Sequence, residues 1–203
     1  IPGVIIAIIQ FAFDNIGTLF IGQAGAVYQA AVGCSSSIIG FGIGGLIHLA
    51  NGGGLAIAIA KGKGDEEEQR KIIRSSIAFS FTLGPIISVL GFFLAEPILH
   101  ILDTPADCMQ WAVLYLRIYF LCAPARLVGN FAMAISRGMG YSNKPLRYMF
   151  VAGLSKIIIT FVGVVLLKWH VVAIALSTIV ADSVVAIWGL IDLKKGFGKV
   201  KWR

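Results

Sequence analysis

The chain has 203 residues, 58% of them hydrophobic and 13% charged, about half the charged share of a soluble domain, and a mean hydropathy of +0.87. That balance argues against a water-soluble enzyme built on one large core and for a polytopic membrane protein. The net charge of +7 would suggest nucleic acid in a soluble protein, but here the basic residues gather in short loops between apolar runs. That is the pattern of membrane topology, so no nucleic-acid partner is expected.

A helix that spans a bilayer needs about 20 mostly apolar residues. Six segments qualify, at about 2–21, 29–60, 74–95, 109–136, 147–168 and 170–193, followed by a basic linker or tail over 194–203. The first carries a carboxylate, Asp14, in the middle of its apolar run. An acid in hydrocarbon is costly and implies a partner or a task. The second span is overlong and rich in glycine (GFGIGG, 40–45; NGGG, 51–54), which predicts a bent or tilted helix. His48 and Asn51 within it read as satisfied packing polars before ligands. The charged run KGKGDEEEQRK (61–71) reads as a solvated loop leading into a short amphipathic start of the third span. Pro85 is a candidate kink in that span. Thr104-Pro105 and Asp107 suit the cap and first turn of the fourth, which carries Arg126 deep in it, beside Pro124. RGMGYSNKP (137–145) is a basic turn. The fifth span holds Lys156, the sixth holds Asp182, and Lys168-Trp169-His170 makes the tight connection between them. Of three cysteines, Cys34 and Cys122 lie in apolar runs and read as packed thiols. Cys108 completes no metal spacing with them, and no metal or other cofactor is expected. The chain starts without Met and inside an apolar run, so a piece of a longer protein is expected.

The Lys/Arg bias predicts orientation. Lys61, Lys63, Arg70, Lys71, Arg74, Arg137, Lys144, Arg147 and the basic tail fall on one side, and only Arg117 and Lys168 on the other. The positive-inside rule places the first set, and both ends of the chain, in the cytoplasm of a cell (inner) membrane protein. Trp111, Trp169 and Trp188 fit interfacial belts.

Several stretches, in this order, carry a family resemblance: Pro2 and Gln10, TLFIGQAG (18–25), AAVG (30–33), GKGD (62–65), TP (104–105), YLRI (115–118), RGMGYSNKP (137–145) and ALST (175–178). Each is weak alone. Collinear along the whole chain, they resemble the first half of a MATE-type multidrug and toxic compound extrusion transporter. The resemblance implies an all-α membrane fold of twelve helices in two lobes, with this chain as one six-helix lobe. Repeated halves around a central site are frequent in secondary transporters. It also implies a polar site, and Gln10, Asn130 and Thr178 match that site in kind. The acids depart from the pattern: the family's first-helix acid falls on Gly17, and its fifth-helix pair, an Asn and an Asp one turn apart, falls on Lys156 and Thr160. That departure counts against a standard sodium- or proton-binding site.

The departures are nevertheless patterned. Asp14 lies three residues before Gly17, Arg126 four before Asn130, Asp182 four after Thr178, and Lys156 four before Thr160. These spacings put each charge on nearly the same helix face as the position it accompanies. Asp14, Arg126, Lys156 and Asp182 are therefore expected as coupling or ion-pair residues, with Asp14 paired to Lys156, and Gln10, Asn130, Thr160 and Thr178 as the polar cavity. Plainer readings stand beside these. Asp14 is then a structural carboxylate paired with Lys156 or Arg126, Lys156 snorkels to the interface, Arg126 answers carbonyls freed by the Pro124 kink, and the hydroxyls bond back to their own helices. No HExxH, GxSxG or Walker-type loop occurs, so no enzyme activity is expected. The expected function is export of organic, cationic or amphipathic drug-like compounds by cation-coupled antiport, with protons favoured over sodium. The alternatives are lipid-linked or anionic cargo on the same fold, or a non-transporting membrane scaffold. The expected partners are membrane lipid, the small-molecule substrate, the coupling cation, and a second six-helix lobe or partner copy.

Overall fold

The structure is a computed structural model that describes residues 20–22, 25–141 and 143–197. All but the last residues of the expected first span, with Gln10 and Asp14, lie outside these. In chain order the described helices are α1 (Ala26–Gly62), α2 (Glu66–Ile101), α3 (Ala106–Leu121), α4 (Ala123–Gly138), α5 (Asn143–Phe161) and α6 (His170–Phe197), with a π-helical stretch over Val162–Leu166. No strand occurs among the described residues. α1, α2, α5 with its π stretch, and α6 are each long and apolar enough to cross a bilayer, and the bent α3–α4 pair passes as one further span.

Local chemistry sets the helix ends. α1 stops where Gly64 takes φ 74° and the Asp65 N–H reaches back to the Ala60 carbonyl (3.1 Å), a left-handed closure that glycine adopts without a Cβ clash. The expected charged loop then shrinks to Lys63–Asp65. The Asp65 carboxylate accepts from the Glu68 N–H (2.9 Å), and Glu66–Glu68 fill the first turn of α2, where acids meet the positive end of the helix dipole. The acidic run is thus helix, and the third span begins about two turns earlier than its apolar stretch suggests. Gly140 (φ 82°) closes α4 in the same way, through Tyr141 N–H to the Ser136 carbonyl (2.9 Å). At the end of α2 the left-handed position is Asp103. Thr104 does not cap α3: Pro105 holds the cap position without a side-chain bond, and the buried Thr104 hydroxyl has no hydrogen-bond partner among the described residues.

The fourth span is broken. α3 and α4 meet at 51° around Cys122, because Pro124 supplies no N–H and its ring collides with the carbonyl four residues back. α2 fits into this bend at Gly84, where a Cβ would lie 2.6 Å from Pro124 Cα. Elsewhere α1 packs on α4, α4 on α6, α5 on α6 and α3 on α2. The largest buried cluster joins α1, α2, α3 and α6 near Leu99, Leu116 and Val171. A smaller one around Ile57, Ile73, Ile135 and Leu193 closes the opposite end. Large apolar side chains left outward, such as Phe41, Phe93 and Ile158, form a surface suited to lipid rather than water.

Candidate functional site: a charged cavity inside the bundle

Between the two buried ends lies a cavity of about 400 Å³. α1 contributes Val32, Ser36 and Gly40 to its wall, α3 contributes Tyr115 and Tyr119, α4 Arg126, Asn130 and Met133, α5 Met149 and Lys156, and α6 Thr178 and Asp182. The bend at Cys122 matters here. It brings the first turn of α4, and with it Arg126, against α6. Arg126 Nε donates to Asp182 Oδ2 at 2.7 Å, with the two side chains only 15% and 22% exposed. The Tyr119 ring covers the guanidinium, 4.2 Å from Cζ, a cation–π arrangement that strengthens as water is removed. The Cys122 thiol approaches the same Asp182 oxygen at 3.6 Å. Asn130 Nδ2 donates to the Arg126 carbonyl (2.8 Å), and Thr178 Oγ1 donates to the Ile174 carbonyl (2.9 Å), so each of these polar side chains spends a donor on its own helix.

Of the eight residues proposed from sequence, five line this cavity together: Arg126, Asn130, Lys156, Thr178 and Asp182. Thr160 is not on the wall. It is buried between α5 and α6 and donates to Ser177 Oγ at 2.9 Å. Asp14 and Gln10 lie outside the described residues. The guanidinium of Arg126 goes to a carboxylate rather than to carbonyls freed at Pro124. The sequence reading gave Arg126 and Asp182 faces but did not pair them, and it missed Tyr119. A signal for Tyr119 was present in Tyr115 and Tyr119, four apart on one helix face. Cys122 is packed, as expected, but its contact is a carboxylate.

A second polar cluster lies toward the α4–α5 turn. Asp192 accepts from the Tyr148 hydroxyl and pairs with Lys144 at 3.7 Å, and Lys61 donates to the Met139 carbonyl (2.6 Å). Arg137 Nη2 donates to Asn51 Oδ1 (2.7 Å), which accounts for Asn51 as a packing polar. Near the other end the Tyr28 and His170 rings stack at 4.3 Å, with Trp111 edge-on to Tyr28. Among the described residues no group of His, Cys, Asp and Glu could hold a metal ion.

The MatE family model matches residues 2–162 of the chain. The chain is 27% identical over 183 residues to "Probable multidrug resistance protein YpnP" of Bacillus subtilis, covering 90% of this chain and 41% of that protein. It is 23% identical over 194 residues to the multidrug export protein MepA of Staphylococcus saprophyticus, covering 94% and 43%. The chain therefore spans less than half the length of the curated relatives it matches. Among solved structures, a multidrug resistance MATE family transporter in an outward-facing conformation superposes with TM-score 0.88 at 21% identity, over 98% of this chain and 43% of that one. A MATE in its bent conformation gives 0.86 at 22% identity, over 93% and 42%. At these identities the structural likeness speaks for the fold.

Proposed function

The chain belongs to the MatE family, a family of membrane transporters, and from that premise we propose that it forms the first six-helix lobe of a secondary exporter of organic compounds that works by alternating access in the cell membrane. The observation that carries this reading is the cavity: about 400 Å³, large enough for a small organic molecule, with apolar walls and charged groups only at chosen points. Charges at membrane depth are costly unless they serve a pathway or a partner. A second lobe, from the same protein or from a partner copy, completes the route.

The coupling ion in this proposal is the proton. A hard cation such as sodium needs several oxygen ligands, yet the helix-five carboxylate that the family resemblance implies is missing, with Lys156 and Thr160 on the pair's positions, and the ammonium adds repulsion. Asp14, Asp182 and Lys156 are instead titratable groups of the kind that proton relays use, and Asp14 paired to Lys156 would link the first span to α5. A group whose proton affinity differs between inward- and outward-facing states biases one over the other. The test is efflux of fluorescent organic dyes from proteoliposomes of the full-length protein under an imposed pH or sodium gradient. Efflux driven by the pH gradient, with Asp14→Asn removing the pH dependence and leaving dye binding measurable, is the expected result. Sodium-driven efflux abolished by Asp14→Asn would overturn proton coupling. Absence of flux under both gradients would overturn the transporter reading in favour of a scaffold.

A further inference from the structure

We propose that the cavity takes cargo bearing an oxyanion, a carboxylate or phosphate on an organic body, and that the outer edge of the Arg126 guanidinium is its receptor. The inference rests on the transport reading for its physiological meaning, but the binding chemistry stands on the site itself. Asp182 occupies the Nε of Arg126, and this is the only side-chain hydrogen bond that Arg126 donates among the described residues. The two terminal nitrogens, with four N–H groups between them, are left on a side chain that lines the cavity. A guanidinium held at Nε by one carboxylate keeps its Nη1–Nη2 edge for a second oxyanion, in the two-pronged geometry that suits carboxylate and phosphate. The Tyr119 ring lies 4.2 Å from Cζ, a cation–π contact that needs none of the Nη N–H groups.

The same geometry disfavours a cationic cargo, the class expected from sequence. Asp182 is the only acid among the described wall residues. Its Oδ2 already holds the Arg126 Nε at 2.7 Å and the Cys122 thiol at 3.6 Å. An ammonium entering the cavity has to displace a guanidinium from that carboxylate. Met133 and Met149 offer the adaptable apolar surface that receives varied organic bodies.

The experiment measures binding of phenyl phosphate, benzoate and benzyltrimethylammonium to the full-length protein in nanodiscs by calorimetry. A parallel arm with dihexanoyl phosphatidate separates a lipid headgroup from a free organic phosphate. Because Arg126→Gln alone strands Asp182, the variants are Arg126→Lys, which keeps the charge and loses the fork, and the double change Arg126→Gln with Asp182→Asn. The expected result is binding of an oxyanion probe with at least tenfold preference over benzyltrimethylammonium, weakened tenfold or more in both variants. Tighter binding of the phosphatidate than of phenyl phosphate assigns the site to lipid cargo within the same class. Tighter binding of benzyltrimethylammonium, or oxyanion binding unchanged in the double variant, overturns the proposal. Oxyanion binding without flux in proteoliposomes would sink the transport reading and leave this one standing. Dye flux without oxyanion binding would do the reverse.

Discussion

Changing Asp182→Asn tests whether the Arg126–Asp182 pair holds the bend of the fourth span against α6. The pair is close (2.7 Å) and largely removed from solvent, at 15% and 22% exposure. Breaking a buried pair by removing one partner costs about 3–5 kcal/mol, because the remaining charge is uncompensated. Two features favour the lower end, about 3 kcal/mol. The Tyr119 ring continues to cover the guanidinium, and the cavity on the other side admits water. For a chain of this size about 2–4 °C of unfolding midpoint accompanies each kcal/mol. A thermal melt of purified Asp182→Asn in detergent should therefore fall by roughly 6–12 °C. Arg126→Gln should fall by a similar amount, since it leaves the carboxylate alone beside the Cys122 thiol. The double change removes both charges and should recover part of the loss, with a coupling of about 1–3 kcal/mol in the cycle. Single effects that add to the double effect within about 0.5 kcal/mol would refute the argument, because the two side chains would then be acting independently.

Gly138→Ala should destabilise by about 1–3 kcal/mol, since its Cβ would lie 2.3 Å from the Gly54 carbonyl oxygen, a backbone atom that cannot turn aside. Gly44→Ala, with nothing among the described residues within 4 Å, should be neutral or raise the melting midpoint, because alanine outranks glycine in helix interiors by about 1 kcal/mol. Equal effects at the two sites in the same melt would contradict the packing account. Thr160→Val should cost about 0.5–1.5 kcal/mol, because it removes the bond to Ser177 while Ser177 Oγ still donates to the Ile174 carbonyl. Its cargo binding by calorimetry should stay within twofold of the parent protein, and a tenfold change in a folded variant would return Thr160 to the cavity.

The long helices of the described residues were legible because hydrocarbon selects for a coarse property, twenty apolar residues in a row. Their ends were less so. The Glu66–Glu68 run looked like loop on composition and is helix, capped by Asp65. The α3–α4 break was visible as Pro124 but not as an angle. The site was legible in part through register: Arg126 and Asp182 sit one turn from Asn130 and Thr178, and helix periodicity alone carries them to the same cavity. Their pairing was not legible, because it depends on the 51° bend and on how deeply α4 meets α6. Thr160 shows the limit of register from the other side. It is one turn from Lys156, yet the approach of α5 to α6 sends it to Ser177 and away from the opening.

The contact between α1 and α4 has a mechanical consequence. The later part of α1 is gripped in three ways: Gly54 lies against the Ala134 and Gly138 backbone, Asn51 against Arg137, and Lys61 against the Met139 carbonyl. Its earlier glycines, Gly40, Gly42, Gly44 and Gly45, have no atom of the described residues within 4 Å of a would-be Cβ. A rod gripped at one end through backbone contacts, and held toward the other by the side-chain packing of Ala31, Val32 and Ile38, bends where its backbone is weakest. Any widening of the cavity mouth that moves α1 is thus directed into the stretch from Gly40 to Gly45, whose backbone resists bending least, while the gripped half stays in step with α4.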